Sequence, residues 1–409
     1  MIDSAYMHKV FIAKSLDELR GIERSAQAHS IKVFLLRCVV WMYVVIANSI
    51  IRVLKKLFFH SKSEKTESIV IYSQGMVGDT VVLLPVVKSV RKRYASAKIC
   101  WIIYSEGFSA HELIDSSFVD SVILIDAHPV VRRGSTLLFS DERLNAIRCD
   151  LFINLSPYGN RGLVGSVLRE MIFAYRTHAA MAVGFHVHTW GRRGLFNEVQ
   201  HYFVRNEPQR AAEVVKELHL SPAENEDLLP LNEAVKNKII RQYLDQHHGK
   251  KIIVINLGAK FPVQKWTTEQ CAGLIERLVN EMNAAVVITG THADRHAADI
   301  IMQKNNRNVI DLVGHTSLQE LIELLRLSNL CISNDTGTMH ISAACGIPTI
   351  GLFTTRMSPT HWFPRGSDVT ILFSFSPKTY SFDDSGDTHD TLSAIRVDDV
   401  FTVARNILR

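Results

Sequence analysis

Asp79 lies in YSQGMVGDTVVLLP (Tyr72–Pro85), just after Gly75 and Gly78 and at the start of an amphipathic stretch. A carboxylate there can cap a helix, which is worth about 1 kcal/mol, or face a cleft as a general base. Lys260 and Lys265 flank the Pro-containing turn of NLGAKFPVQKWTTE (Asn256–Glu269). A lysine so placed can neutralise charge on a phosphate leaving group, or simply be a surface lysine ahead of a helix. In SNDTGTMHISAACGIPTIGLF (Ser333–Phe353) an apolar run ends in a Gly/Thr turn that opens a run of small residues. A helix beginning there offers free N–H groups and a partial positive charge, and Gly337 lets an anion approach the backbone. Asp335 can accept from ribose hydroxyls or cap the helix, and His340 sits in the first turn. The spacing suits a diphosphate, while a plain capped turn with a core histidine is the alternative reading.

These stretches fall at the ends of strand-like runs. SIVIYS (68–73), KICWIIY (98–104), SVILID (121–126), CDLFINL (149–155) and AMAVGF (180–185) alternate with helical patterns. After a polar stretch near SPAENEDLLP (221–230) the rhythm restarts with KIIVINLG (251–258) and AAVVITG (284–290). It continues through NVIDLVG, NLCISN (329–334) and PTIGLF (348–353). Such alternation predicts an α/β chain with two successive, mostly parallel sheets. Paired Rossmann-like domains enclose a cleft, and ligands bind beyond the carboxyl ends of the strands. The expected division is 1–66, a basic and hydrophobic helical extension; 67–205, the first Rossmann-like domain; 206–235, a linker; 236–395, the second; and 396–409, a C-terminal helix.

The 409 residues are 47% hydrophobic and 21% charged, as in a globular chain with room for two domains. Six cysteines lie scattered without CxxC spacing and read as reduced core residues. No cleavable secretory signal is apparent at the start of the chain. The net charge of +5 is localised, since residues 1–66 hold eleven Lys/Arg against five Asp/Glu. The remainder is balanced, which argues against nucleic acid as a partner. Within the extension, VFLLRCVVWMYVVIANSIIRVLKKLFF (Val33–Phe59) has a longest uncharged run, Cys38–Ile51, that is short of the roughly 20 residues of a spanning helix. On a helix, Arg37, Asn48, Arg52 and Lys55 fall within about 60° of one another, with apolar residues over most of the rest. That pattern suits a helix lying in the headgroups of an anionic membrane, with self-packing and a true span as the other readings.

Taken together and in this order, the three stretches resemble glycosyltransferase family 9, the heptosyltransferases of lipopolysaccharide core assembly. The resemblance runs from about Ser68 to Arg409. Its most specific part is Asp335-Thr-Gly-Thr-Met-His340, followed by Ala343, Ala344, Gly346 and Pro348. Gly78-Asp79 with Pro85, Gly258-Ala259 with Lys265-Trp266, and SPTHWFPRG (Ser358–Gly366) support it. Asn256 stands where many members have histidine. The resemblance implies a GT-B fold, with two Rossmann-like domains facing a central cleft. It further implies an inverting, metal-independent transfer of a sugar, by family default heptose from ADP-heptose, to a lipopolysaccharide-type or other cell-surface glycan or glycolipid. No cofactor and no metal site are implied, because the nucleotide-diphosphate sugar is a co-substrate. Catalysis would fall to Asp79 as base and Lys265 as stabiliser of the leaving diphosphate. Gly258, Lys260, Asp335, Thr336, Gly337, Thr338 and His340 would bind the donor.

The acceptor belongs to the first domain, with Gly75 and Gly78 bringing the backbone close and His186 and His188 of GFHVHTW lining that side. The two histidines resemble a metal pair but have no third ligand nearby, so core or cleft packing is the simpler reading. The expected location is cytoplasmic, peripheral on the inner membrane. Two other classes stay open: a sugar-nucleotide 2-epimerase, which would form no new glycosidic bond, and a membrane-docked scaffold that keeps the nucleotide turn without the chemistry.

Overall fold

The computed structural model describes residues 9–26, 31–59, 66–105, 110–133, 136–156, 164–187, 206–222, 226–304, 308–354, 360–374 and 392–409. The chain begins with a short strand, β1 (Val10–Ala13), and a helix, α1 (Leu16–Ala26), followed by a long helix, α2 (Ile31–Phe58). These do not form a separate extension. Two compact units divide the chain, one comprising Met1–Ala28 with Asn225–Arg409 and the other His29–Glu224. Strand β1 and helix α1 thus belong with the C-terminal half, and α2 with the N-terminal half.

The His29–Glu224 unit continues with β2 (Ser68–Gln74), α3 (Val77–Arg93), β3 (Lys98–Tyr104), β4 (Ser121–Ile125), β5 (Val130–Arg133), β6 (Thr136–Phe139), β7 (Leu151–Asn154), α4 (Val164–Arg176), β8 (Met181–Val183) and α5 (Glu207–Lys216). Five strands form a parallel sheet in the order β4-β3-β2-β7-β8, and β5-β6 is a separate antiparallel hairpin. The strands are near-continuous apolar runs because helices cover the faces of a parallel sheet. Tyr72, Phe152, Phe173 and Phe185 interlock in the core beneath α2 and α4. Helix α5 falls where a linker is expected. Asn206 caps it, Pro208 lies in its first turn, and its buried face includes Ala211, Val214 and Val215, so the segment is part of this unit.

The other unit adds α6 (Glu233–Ile239), β9 (Ile252–Asn256), α7 (Thr268–Met282), β10 (Ala285–Thr289), α8 (Arg295–Lys304), β11 (Val309–Asp311), α9 (Leu318–Arg326), β12 (Leu330–Asn334), α10 (Gly337–Ala344), β13 (Thr349–Phe353), β14 (Val369–Ser374) and α11 (Val397–Leu408). Its seven-stranded sheet runs β1-β14-β13-β12-β9-β10-β11 and is parallel except for β1. Local signals set its helices: Thr267 caps α7 and Asn283 ends it in a left-handed conformation, while Ser317 and Glu320 form a capping box on α9. Strand β1 pairs antiparallel with β14, Val10 opposite Ser374, and Phe11 stacks on Phe373 at 5.5 Å. Phe11, Ala13 and Leu19 are buried in the same cluster as Met339 and Phe353. The C-terminal helix α11 packs within this unit's core through Val400, Phe401 and Ala404. The six cysteines are unbridged, three of them buried.

Candidate active site

In each parallel sheet the strand order reverses once. In the first unit this happens between β2 and β7, and in the second between β9 and β12. Open α/β sheets bind ligands outside the carboxyl ends of the strands at such a switch point, where the crossovers diverge to opposite faces. Asp79 lies just beyond β2, and the 256–266 loop and the 334–338 turn lie just beyond β9 and β12.

In the first unit Gly75 leaves β2 with φ +141°, and its N–H donates to Tyr104 O at 3.0 Å. Asp79, in the first turn of α3, accepts from the Met76 N–H through Oδ2 at 2.7 Å. The carboxylate therefore does cap the helix, but it also turns back over Gly75. A Cβ on Gly75 would fall 2.2 Å from Asp79 Cγ. Gly75→Ala is accordingly expected to cost about 1–3 kcal/mol through its φ and the displaced carboxyl, read by chemical denaturation. Burial raises the Asp79 carboxyl to about 7; the Glu207 charge adds to this, while the Met76 N–H and Arg210 oppose it. Behind it, Glu207 Oε2 accepts from Arg210 Nε at 2.7 Å in an ion pair with both partners buried, and Arg210 also donates to Leu155 O, just past β7. Arg210 thus ties α5 to the end of β7, one of the two strands that flank the switch point.

His186 has a structural partner. Its Nε2 lies 2.9 Å from Glu217 Oε1, Gly184 N donates to the same oxygen, and Lys55 Nζ reaches Oε2 at 2.5 Å. Burial alone would raise the Glu217 carboxyl, but the His186 and Lys55 donors outweigh it and hold it at about 2. This cluster ties α2 to the segment after β8. His188 lies outside the described residues.

In the second unit two asparagines stitch the loops. Asn256, the last residue of β9, donates to Gly258 O at 3.2 Å and to Thr336 Oγ1 at 3.3 Å. Asn334, the last residue of β12, donates to Leu257 O and Gly258 O and accepts from Trp266 N–H at 3.1 Å. Trp266 is buried and anchors the loop's far end by donating to Ile395 O at 2.9 Å. The Thr336 hydroxyl turns back onto Asn256 and Ser333, so it does not cap α10. The first turn of α10, at Gly337 and Thr338, thus keeps N–H groups suited to an anion.

Lys265 Nζ is paired with Asp294. The Asp294 side chain is buried, accepts from Thr291 N–H and hydroxyl at 2.9 and 3.0 Å, and rests against Gly258 and Gly290, where a Cβ would come within 3.1 and 3.0 Å of its Oδ2. Burial would raise this carboxyl, but Lys265 and Thr291 hold it below the usual carboxylate range. An ammonium has three donors, and Asp294 takes one. Lys260 is exposed, with Nζ 5.8 Å from the Phe261 ring centroid. His340 is buried and edge-to-face with Trp362 at 5.9 Å; burial lowers it to about 4, so it is a neutral ring. Asp335 is half-buried, with its N–H donating to Leu352 O.

The structure thus gathers Gly258, Lys265, Thr336, Gly337 and Thr338 at one switch point, and Gly75, Gly78 and Asp79 at the other. Asp294, Asn256, Asn334 and the Glu207–Arg210 pair were not among the expected site residues. Asp294 had a signal in Thr291-x-x-Asp294 immediately after a strand, a capping pattern that fixes the carboxylate's position.

The model of glycosyltransferase family 9 (heptosyltransferase) matches residues 171–387, just over half of the chain. Lipooligosaccharide heptosyltransferase 2 of Haemophilus influenzae is 31% identical over 120 residues, 28% of this chain and 34% of the relative. The chain spans between about a third and three-fifths of the length of the first curated relatives it matches. Two solved structures share the fold. A glycosyl transferase family 9 protein from Veillonella parvula has a TM-score of 0.64 at 18% identity, over 85% of this chain and 99% of its own. ADP-heptose lps heptosyltransferase II of E. coli has a TM-score of 0.57 at 19% identity, over 83% of this chain and 98% of its own. With paired parallel sheets and a family match over more than half its length, the chain belongs to glycosyltransferase family 9.

Proposed function

We propose that this protein transfers a sugar, heptose from ADP-heptose, to a lipopolysaccharide-type glycan acceptor, with inversion and without a metal. Asp79 carries this reading. Its carboxyl lies at the switch point of the first sheet and is raised to about 7, so near neutral pH it exists in both forms. That is the condition under which a general base is most effective. In the proposed step the acceptor hydroxyl oxygen forms a bond to the anomeric carbon as the bond from that carbon to the diphosphate oxygen breaks. The hydroxyl proton passes to Asp79, and the nucleoside diphosphate leaves with the bonding pair. Attack opposite the leaving group inverts the anomeric centre.

The leaving group's charge falls to the second unit. The α10 N-terminus supplies backbone N–H groups and the Lys265 ammonium supplies a fixed positive charge, both in place before reaction. These groups support a metal-free step. A heptosyltransferase II named for ADP-heptose and lps, together with curated lipooligosaccharide heptosyltransferases, supports the choice of donor and acceptor. Such an enzyme works in the cytoplasm on a lipid-anchored substrate at the inner membrane.

The test is a thermal-shift series with ADP, UDP, GDP and their sugars in chelator. ADP and ADP-heptose should stabilise the protein by about 2.7 kcal/mol at a hundredfold excess over Kd. No response to any diphosphate nucleotide would overturn the reading. Mass spectrometry of the products separates transfer, which adds a heptose to the acceptor, from epimerisation, which changes the donor alone.

A further inference from the structure

Helix α2 has two apolar faces, and its own unit covers only one. Val40, Ala47 and Ile51 are buried against the first unit's core, where Phe59 stacks on Phe185 at 6.2 Å. Asn48 locks that face, with Nδ2 donating to Val187 O and Oδ1 accepting from Val187 N–H, both at 2.8 Å. Lys55 is held by Glu217 on the same side. Two residues of the expected polar stripe, Asn48 and Lys55, are therefore spent on the protein itself, while Arg52 stays exposed. What faces outward is Leu35, Val39, Met42, Ile46, Val53 and Leu57, with Ile46 61%, Val53 59% and Leu57 72% exposed. At 100° and 1.5 Å per residue these six share one face about 33 Å long.

The rim of that face has a single sign. Arg52 and Lys56 are exposed along one edge and make no ion pair among the described residues, and Trp41, 60% exposed, lies on the same edge. No Asp or Glu occurs between Glu23 and Glu64. A second copy of this chain would bring one positive rim against another, whereas a phospholipid surface carrying net negative charge complements it and accepts the apolar face.

We infer that α2 lies in the plane of an anionic bilayer, with the Leu35–Leu57 face in the acyl boundary and Arg52 and Lys56 on lipid phosphates. Tryptophan and snorkelling basic side chains are at home in that layer. The segment Cys38–Phe58, with mean hydropathy 1.6, has the length to cross a bilayer. Crossing would strip Val40, Ala47 and Ile51 from the core and carry the Asn48 and Lys55 contacts into hydrocarbon, so the helix docks along the surface instead. This inference is independent of the transferase reading, since it uses no residue of the candidate site.

The test is flotation of the full-length chain with vesicles of phosphatidylethanolamine and phosphatidylglycerol. The protein should float, float poorly with phosphatidylcholine alone, and be released at about 0.5 M salt. Ile46→Glu with Val53→Glu should lower vesicle partitioning at least tenfold with an unchanged thermal transition, because both side chains are exposed in the free protein. Arg52→Gln with Lys56→Gln should weaken binding and flatten its salt dependence. A monomer that stays at the bottom of the gradient would overturn the inference, as would a stable dimer that the glutamate pair dissociates. Retention through alkaline carbonate extraction would overturn it in favour of a span.

Discussion

Asp79→Asn is expected to lower sugar transfer by roughly 10²- to 10⁴-fold, the span associated with a general base, while stabilisation by the donor nucleotide persists. The two readouts separate chemistry from binding, because Asp79 belongs to a different unit from the α10 turn. The wild-type rate should rise with pH through about 7 as the carboxyl ionises, and the Asn variant should lose that limb. A stability effect accompanies it. The folded-state carboxyl, at about 7, lies above the 3.8 of an ordinary aspartate. Its contribution to stability is therefore fully present below about pH 4 and is lost as pH rises through 7. Asn keeps a carbonyl for the Met76 N–H without the buried charge, so the variant should lose less stability than the wild type between pH 5 and pH 8, pH values chosen to bracket that titration. Near-normal turnover in Asp79→Asn would remove this residue from the base role.

Removing residues 1–28 is expected to damage the second unit, although that segment precedes the first in sequence. Phe11 and Leu19 are each buried, and burying such a side chain is worth about 1.5–3 kcal/mol. Their loss takes about 3–6 kcal/mol from a domain whose whole stability is about 5–15 kcal/mol. A fall in Tm on the order of 10 °C follows. The deletion also uncovers β14 as a free, apolar edge, a template for aggregation. Calorimetry and light scattering of the truncated chain check both effects, and an unchanged transition would show that β1 is dispensable. The outcome also bears on α2: a truncation at residue 60 cannot test membrane binding cleanly, because it removes β1 and α1 along with the helix.

The ten strand runs read from apolar and β-branched residues all form strands, since a strand covered on both faces needs little beyond its own composition. Strands β1 and β14 escaped notice for a different reason. VFIA is four residues long and acquires its identity only from a partner at the far end of the chain. Helix α5 fell inside the expected linker, although Asn206 and Pro208 carry ordinary start signals. In the site, the glycine turns and Lys265 were legible as local motifs, whereas the Asp294 partner of Lys265 is a tertiary fact. The polar stripe of α2 is divided between the protein and solvent because periodicity reports which residues share a face and is silent on which side the protein lies. Asn48 decides the matter, and its partner Val187 is 139 residues away.

The pairing of β1 with β14 also dictates an order of events during synthesis. Val10 must wait for Ser374, about 360 residues of further translation, before its strand has a partner. At about 5–20 residues per second the delay is roughly 20–70 s. The His29–Glu224 unit is complete in sequence long before then, so it can fold while Phe11 and Leu19 remain uncovered on the nascent chain. The first segment made is thus among the last to be buried, and its interval of exposure is when a ribosome-bound chaperone would matter most.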